Sequence, residues 1–268
     1  MKKLLLVLAV IAGKVVHGQE LFVFTEPASN MAARSVGLRL NNYLMHDIHT
    51  RKNNYHLLPE VMWGISKKIM VHGEAFLSNR ENSFVAEGGS VYLKYRFLSI
   101  DEVHNHFRMA AFGRASYNTG GIHQMAIDFF GHNSGYEGGV VATQLINKVA
   151  ISGSVSTLHV TDNGEEKFLY GDKNRTAVNY TLSVGKLLLP KEYTSYNQTN
   201  VNLMVELLGQ SNTGTGARYL DIAPAIQFIV ASRMRIDLGY RYPLVDELHR
   251  IAPKGYVFKL EYNLFNLY

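Results

Sequence analysis

Apolar and polar residues alternate along much of this chain, most clearly near its C-terminal end. Residues 234–242 place apolar side chains on one face and mainly polar or charged positions on the other: Met234, Ile236, Leu238, Tyr240 and Tyr242 against Arg235, Asp237, Gly239 and Arg241. Residues 256–264 repeat the pattern. A period of two predicts β-strands. Charges opposite an aromatic-edged apolar band indicate lipid on one side and water on the other.

The same alternation predicts twelve strands, at 35–45, 55–66, 69–80, 87–98, 107–118, 135–147, 149–161, 176–189, 199–211, 219–231, 234–245 and 255–268. If the first strand runs outward, the three shortest links, near 67–68, 148 and 232–233, fall at the periplasmic end. The two longest, 118–134 and 161–175, fall outside, and links 99–106 and 190–200 are of middling periplasmic length. Short turns on one side and long loops on the other are typical of outer-membrane barrels.

These patterns predict an all-β fold: a single transmembrane antiparallel β-barrel of about twelve strands over residues 35–268. The expected location is the outer membrane of a Gram-negative bacterium, with both termini periplasmic because the strand number is even. A soluble lipocalin-like barrel would place its apolar face inside, and periodicity alone does not separate the two. The loop asymmetry, the strand number and the terminal Tyr268 favour the membrane barrel.

Residues 1–18 predict a cleaved secretory signal peptide: Lys2 and Lys3 precede an apolar run, and Gly18 offers a small residue for cleavage. The run is too short to span a bilayer as a helix. Residues 19–34 form an N-terminal segment that we expect in the lumen, across the periplasmic mouth or paired with the first strand. Removing three lysines and no acid lowers the formal net charge from +5 to +2, so nucleic acid is not an expected partner.

The composition agrees with a closed barrel. The chain has no cysteine, so an exported fold must rely on backbone hydrogen bonds and packing, which a barrel supplies by pairing every strand on both sides. Sixteen tyrosines and thirteen phenylalanines are enough to form strands and interfacial girdles. The expected partners are outer-membrane lipid, small polar solutes and, through the C-terminal strand with its final aromatic, the barrel-assembly machinery.

Three sequence pieces carry a resemblance to a known group. They are Leu58-Pro59-Glu60-Val61-Met62-Trp63-Gly64, Glu87-Gly88-Gly89-Ser90 with Lys94-Tyr95-Arg96-Phe97, and the ending Tyr-Asn-Leu-Phe-Asn-Leu-Tyr. The chain resembles uncharacterised, porin-like outer-membrane β-barrel proteins of Bacteroidota over most of its mature length. The resemblance implies the fold and the location and brings no substrate with it.

The inward faces of the predicted strands carry charges that are candidates for lining a pore. They comprise eight cations and six anions: Arg39, Lys94, Arg96, Arg108, Arg114, Arg235, Arg241 and Lys259, with Glu60, Glu74, Glu206, Asp221, Asp237 and Glu261. One interpretation is a narrow aqueous channel for small polar solutes or ions, whose charges steer the solute. The other is a non-conducting structural barrel laced with ion pairs.

Two further hypotheses concern the loops. His46, Asp47, His49 and His56 lie in or near the first external loop, and imidazole with carboxylate suits Zn or Cu, so they could capture a divalent metal. No other cofactor is expected. His132-Asn133-Ser134 suggests a lipid-modifying enzyme, but neighbours on an extended chain point apart. We therefore predict that the protein is not an enzyme. A channel for hydrophobic substrates would need a longer N-terminal hatch than residues 19–34.

Overall fold

Twelve antiparallel strands close into one barrel in the computed structural model, which describes residues 22–48, 51–80, 83–192, 195 and 197–267. The strands are β1 (Ser35–His46), β2 (Asn53–Gly64), β3 (Ile69–Ser78), β4 (Val85–Glu102), β5 (Asn105–Asn118), β6 (Gly135–Ile146), β7 (Val149–Val160), β8 (Thr176–Leu189), β9 (Asn200–Asn212), β10 (Arg218–Val230), β11 (Met234–Asp246) and β12 (Gly255–Leu264). The predicted fold class is confirmed.

Closure occurs between the first and the last strand. β1 pairs with β12 from Val36↔Leu264 through Met45↔Gly255, and with β2 on its other side. Each strand therefore has two hydrogen-bonded neighbours, which removes the open edges that a bilayer could not satisfy. Among the described residues, no helix is long and apolar enough to cross a membrane. The predicted signal peptide, residues 19–21 and Tyr268 lie outside the described residues.

The two ends of the barrel differ. The turn end carries the links 65–68, 103–104, 147–148, 190–199 and 231–233. The loop end carries the links 47–52, 79–84, 119–134, 161–175, 213–217 and 247–254. The first strand begins and the last strand finishes at the turn end. The predicted asymmetry is present.

The link between β4 and β5 is shorter than predicted. We expected a connection over 99–106, but β4 continues to Glu102 and β5 begins at Asn105. The pair Ile100↔Phe107 extends the hairpin past an irregularity between Arg96 and Leu98. Polar residues end the apolar pattern there without ending the strand, because backbone pairing continues where the side chains meet water. The link is therefore a tight turn at residues 103–104.

The outer surface is an apolar belt edged by aromatic rings. Exposed aromatic side chains lie toward both ends: Tyr117, Tyr136, Tyr242 and Tyr256 toward the loop end, and Trp63, Tyr95, Phe97 and Tyr262 toward the turn end. Exposed aliphatic side chains lie between them: Val91, Leu93, Val140, Val155, Leu182, Val184, Leu203 and Leu238. Aliphatic residues suit the hydrocarbon core and aromatic residues suit its interfaces. The belt lies on the face that the alternation assigned to lipid.

The N-terminal segment lies in the lumen, one of the three predicted places. We call residues 22–33 the N-terminal plug. It passes the turn end beside Gly64, where a Cβ would stand 2.0 Å from the carbonyl oxygen of Ala32. Glycine at this position therefore allows the close approach. Inside the barrel, Phe22 belongs to a small buried apolar cluster with Met204.

Candidate channel lumen

A buried carboxylate holds the start of the N-terminal plug. Glu206 of β9 is 0% exposed, and its oxygens accept hydrogen bonds from three consecutive backbone amides. The distances are 2.8 Å from Val23, 2.9 Å from Phe24 and 2.8 Å from Thr25. The hydroxyl of Ser183 donates a further bond to it, at 3.1 Å. Hydrogen bonds to an ionised group are stronger than neutral ones, so Glu206 is a main attachment of the plug.

A buried ammonium holds the other half of the plug. Lys94 of β4 is 0% exposed and donates to the carbonyl oxygens of Pro27 at 2.7 Å and Ser29 at 2.8 Å. It also lies 3.4 Å from a carboxylate oxygen of Glu26. Polar contacts from several strands therefore fix the plug across the lumen.

Ion pairs line the wall formed by β1, β2, β11 and β12. Arg39 lies 3.1 Å from Glu60 and 2.8 Å from Glu261. Arg235 lies 3.3 Å from Glu261 and 2.6 Å from Asp237. The register sets these partners, because Arg39 stands directly opposite Glu60 on β2 and Glu261 on β12. Cross-strand pairs of opposite charge stabilise the sheet and fill this part of the lumen.

A second group of charges lies nearer the loop end. Asp221 of β10 is fully buried and accepts hydrogen bonds from two guanidinium groups. Arg241 on the neighbouring strand β11 is one donor, at 2.5 Å, and Arg250 from the link 247–254 is the other, at 2.7 Å. Arg250 also pairs with Asp246 at 2.7 Å, so two carboxylates hold the two arginines.

Arg114 of β5 forms a third group. Its guanidinium lies 3.3 Å from Glu74 and 3.7 Å from Glu137. The guanidinium carbon also lies 4.2 Å from the ring centroid of Phe130, so a loop aromatic covers it. Stacking on an aromatic face adds a cation–π contact to the ion pairs.

The structure places all fourteen predicted lumen residues on inward strand positions. Glu206 accepts from backbone amides, and two of the cations also make contacts of another kind. Arg96 is half-buried at the turn end, where it donates to the carbonyl oxygen of Lys67 at 2.7 Å. Lys259 has no ion pair within the described ranges, and its ammonium lies 5.9 Å from the ring centroid of Tyr43.

Two strand carboxylates that pair with predicted lumen arginines were not identified from the sequence, and each omission has a cause. Glu137 lies on β6, where the run Gly138-Gly139-Val140-Val141 hides the alternation. Asp101 lies 2.7 Å from Arg108, beyond the predicted end of the fourth strand. Both acids therefore fell outside the set that alternation identified.

Other lumen charges come from outside the strands, including Arg80 of the link 79–84 and Asp128 of the link 119–134. Glu26 belongs to the N-terminal plug, and Arg250 belongs to the link 247–254. Neither segment carries an alternating pattern that would assign a side chain to the lumen. The added acids outnumber the added arginines, so they offset the cationic excess that the strand pattern alone suggested.

The link 119–134, which we call the cover loop, folds over the lumen at the loop end. Gln210 of β9 holds it twice, accepting from the amide of Ile127 at 2.8 Å and donating to its carbonyl oxygen at 2.8 Å. Phe129 is buried in an apolar cluster with Leu158. The loop therefore packs onto the barrel rather than extending from it.

His132 is a polar contact of the cover loop. Arg80 donates a hydrogen bond to Nδ1 of His132 at 2.7 Å, and the ring of His56 lies 4.8 Å away, centroid to centroid. Burial, together with the positive charge of Arg80, lowers the pKa of His132 well below its usual value. A neutral imidazole at this position can accept the bond, whereas an imidazolium could not.

A cavity of about 220 Å³ remains in the lumen between the N-terminal plug and the cover loop. Its lining combines aromatic, aliphatic and charged side chains, among them Phe24, Tyr43, Arg114, Arg241, Val257 and Lys259. A cavity with mostly apolar walls and a few converging polar groups is the usual form of a small-molecule site.

The three expected metal ligands that the structure describes do not converge. His46 lies on an outward position of β1, opposite Asn53 in the register, and its Nδ1 lies 3.0 Å from the Asn53 side-chain oxygen. His56 is buried on the lumen side, and Asp47 is buried in the following link, while His49 lies outside the described residues. Within the described ranges, no group of three or more His, Cys, Asp or Glu side chains could hold a metal ion.

The tripeptide His132-Asn133-Ser134 does not form a nucleophile and base. The hydroxyl of Ser134 donates to the carbonyl oxygen of Asn118 at 3.1 Å and accepts from its amide at 2.8 Å. His132 instead contacts Arg80. Ser134 therefore joins the end of the cover loop to β5.

Comparisons with known proteins agree with the fold. No family model matches this sequence, and no curated protein does either. The NanC porin superposes with a TM-score of 0.52 at 11% identity, over 86% of this chain and 98% of the porin. An outer-membrane channel from Pseudomonas putida F1 gives a TM-score of 0.55 at 9% identity, over 90% of this chain and 99% of the channel. The chain therefore has a porin-like barrel fold, and an origin in Bacteroidota stays an expectation.

Proposed function

We propose that this protein is an outer-membrane channel for small polar solutes or ions, closed at rest by its N-terminal plug. The observation that supports this is the plug itself, a separate segment that fills a charged lumen. Its attachments to Glu206 and Lys94 are hydrogen bonds and ion pairs, which water and solute can replace. A wall of charged side chains suits an aqueous path once the plug moves.

The location and orientation form part of the proposal. The apolar belt and its aromatic edges suit a bilayer, and the likeness to outer-membrane barrels supports the outer membrane of a Gram-negative bacterium. We propose that the turn end, where the first strand begins and the last finishes, faces the periplasm. Lipid would cover the belt, and the C-terminal strand would be presented to the barrel-assembly machinery.

Conductance in planar bilayers tests the proposal. We expect the unaltered chain to give rare, small openings. A variant lacking residues 22–33 should conduct several-fold more, because the deletion removes the segment that fills the lumen. Glu206→Gln should open more often than the unaltered protein, since a neutral amide binds the three backbone amides less strongly. Glu165→Gln, in an exposed part of the link 161–175, is the matched control and should behave as the unaltered chain does.

A non-conducting structural barrel is the second candidate. The ion pairs of Arg39 and Arg235 occupy the lumen beside the plug, so removing the plug need not leave a continuous path. A folded barrel that lacks residues 22–33 and stays silent in the bilayer would support this candidate and contradict the channel. Divalent-metal capture has less support, because His46 and His56 face opposite sides of the sheet.

A further inference from the structure

The lumen cavity contains a buried cation that, among the described residues, has no carboxylate within ion-pair distance. Lys259 is 7% exposed and lines the cavity. Its neighbour across the β11–β12 register is Asp237, but both oxygens of Asp237 accept from Nε of Arg235, at 3.0 and 2.7 Å. Its neighbour on β1 is Asn41, whose side-chain amide donates to Glu60 at 3.1 Å. Within the part of the chain that the structure describes, no carboxylate forms an ion pair with this ammonium.

A second cation on the same wall, Arg241, shares its carboxylate with Arg250, which also pairs with Asp246 at 2.7 Å. Arg241 lines the cavity with its side chain 21% exposed. Its carboxylate partner is Asp221, which also binds Arg250 at 2.7 and 3.0 Å. Arg241 stands opposite Gly255, four positions nearer the loop end than Lys259 on β12. The two cations therefore lie on the same wall of the lumen, with Arg241 nearer the loop end and Lys259 deeper inside.

Two of the acids that line the cavity are engaged by other cations. Glu26 of the plug lies 3.4 Å from Lys94. Glu137 of β6 lies 3.7 Å from Arg114. Each of these carboxylates therefore balances a charge other than that of Lys259.

The third acid of the lining, Asp128, is engaged within the cover loop. One of its oxygens accepts from the amide of Phe130 at 2.8 Å. The other lies 3.8 Å from Nε2 of His132. Among the described residues of the lining, Lys259 is therefore the cation with no carboxylate within ion-pair distance.

The lining also carries apolar side chains among its polar ones. Phe24, Tyr43 and Val257 line the cavity together with Lys259, and Phe112 lines it from β5. A buried cation without a partner is costly, and a bound anion would relieve that cost. We infer that the cavity binds a small organic anion, a carboxylate on an aromatic or aliphatic body, with Lys259 as its charge partner.

The inference rests on the proposed channel function and deepens it by naming a class of solute. Binding is measured at equilibrium and needs no flux through the barrel. A barrel that binds the anion and never conducts would contradict the channel alone. A barrel that conducts and binds no anion would contradict the site alone.

Titration calorimetry on the detergent-solubilised full chain tests it with three probes of similar body: benzoate, benzyl alcohol and benzylamine. We expect benzoate to bind with one-to-one stoichiometry and at least tenfold more tightly than the other two. Lys259→Met should reduce benzoate binding at least tenfold, and Lys259→Arg should keep it within about threefold. Lys68→Met, at the turn end and exposed, is the matched control and should not change it.

Three results would overturn the inference. They are equal binding of benzoate and benzyl alcohol, no binding of benzoate, and unchanged benzoate binding by a folded Lys259→Met variant. If Lys259→Met does not fold, the binding of the three probes to the unaltered chain still tests the inference. Only a cationic site would bind benzoate more tightly than its neutral and cationic analogues.

Discussion

Asp237 and Leu238 are neighbours in β11 and meet different surroundings. Asp237 is fully buried against Arg235 in the lumen, whereas Leu238 is 47% exposed on the outer belt. Successive side chains of a strand point to opposite faces, so neighbouring residues of this barrel meet different solvents. The effect of a charge at either position therefore follows from the face on which it falls.

Leu238→Arg should destabilise the barrel in a bilayer by about 2–4 kcal/mol if the site lies near the midplane, because lipid cannot solvate the guanidinium. Urea unfolding in vesicles measures the change. Lys259→Met is the control, since it removes a lumen charge that forms no ion pair with any described residue and should not lower the unfolding free energy. A larger loss from Lys259→Met than from Leu238→Arg would mean that the faces are inverted.

His132 should make the cover loop sensitive to acid. Its pKa in the folded protein lies below the usual value of 6.5, so the unfolded loop binds more protons as the pH falls below that value. Stability is thus complete above pH 6.5 and decreases on acidification toward the folded-state pKa, where the bond from Arg80 to Nδ1 is lost. His56, Asp128 and His123 are the other titratable groups near it.

Limited proteolysis of the cover loop against pH measures this effect. Cleavage should rise below about pH 6.5 in the unaltered protein and depend much less on pH in His132→Gln. His104→Gln, in the exposed turn between β4 and β5, should keep the original profile. Equal profiles for all three proteins would exclude His132 as the titrating group.

At the scale of elements, alternation predicted the strands and failed where side chains stop alternating. Most of the twelve strands were found because their sequences show an outer apolar face, and β6 is an exception. The end of β4 was missed because Ser99 and Asp101 lie outside the belt, where no face needs to be apolar. The inward Glu137 was missed because glycines and valines dominate the middle of β6. The alternation of apolar and polar residues indicates which solvent each face of a strand meets. It does not indicate where the backbone pairing ends.

The packing of the cover loop could not be predicted from the sequence either, because it does not depend on an alternating pattern. Its attachment to Gln210 joins residues far apart in sequence through one amide side chain, which leaves no periodic signal. The attachment of the plug to Glu206 and the surroundings of Lys259 also leave no periodic signal in the sequence. Sequence identified the lumen residues, but only the structure shows which of them hold a segment and which have no carboxylate partner.

Gln210→Leu should release the cover loop without unfolding the barrel, because it removes both hydrogen bonds to Ile127. We expect faster proteolysis within the loop and an unchanged β-sheet signal in far-UV circular dichroism. Gln227→Leu is a matched control: Gln227 is also buried in the lumen and accepts a hydrogen bond from Asn202 instead. Equal proteolysis of both variants would contradict the role of Gln210.

For the whole molecule, closure predicts resistance to detergent. All twelve strands are paired on both sides, so unfolding must break a continuous ring of hydrogen bonds. The purified protein should require detergent and run at different positions on a gel before and after boiling. A water-soluble monomer, or a mostly helical far-UV spectrum, would contradict the transmembrane barrel.

The N-terminal plug also fixes an order of events in time. Its attachments include Lys94, Thr143, Glu206 and Arg235, on four strands spread along the chain. These residues reach their common lumen only when the sheet has curled and closed. We therefore expect the segment that precedes the first strand to be among the last to settle, so that a newly closed barrel stays unsealed until the plug is seated.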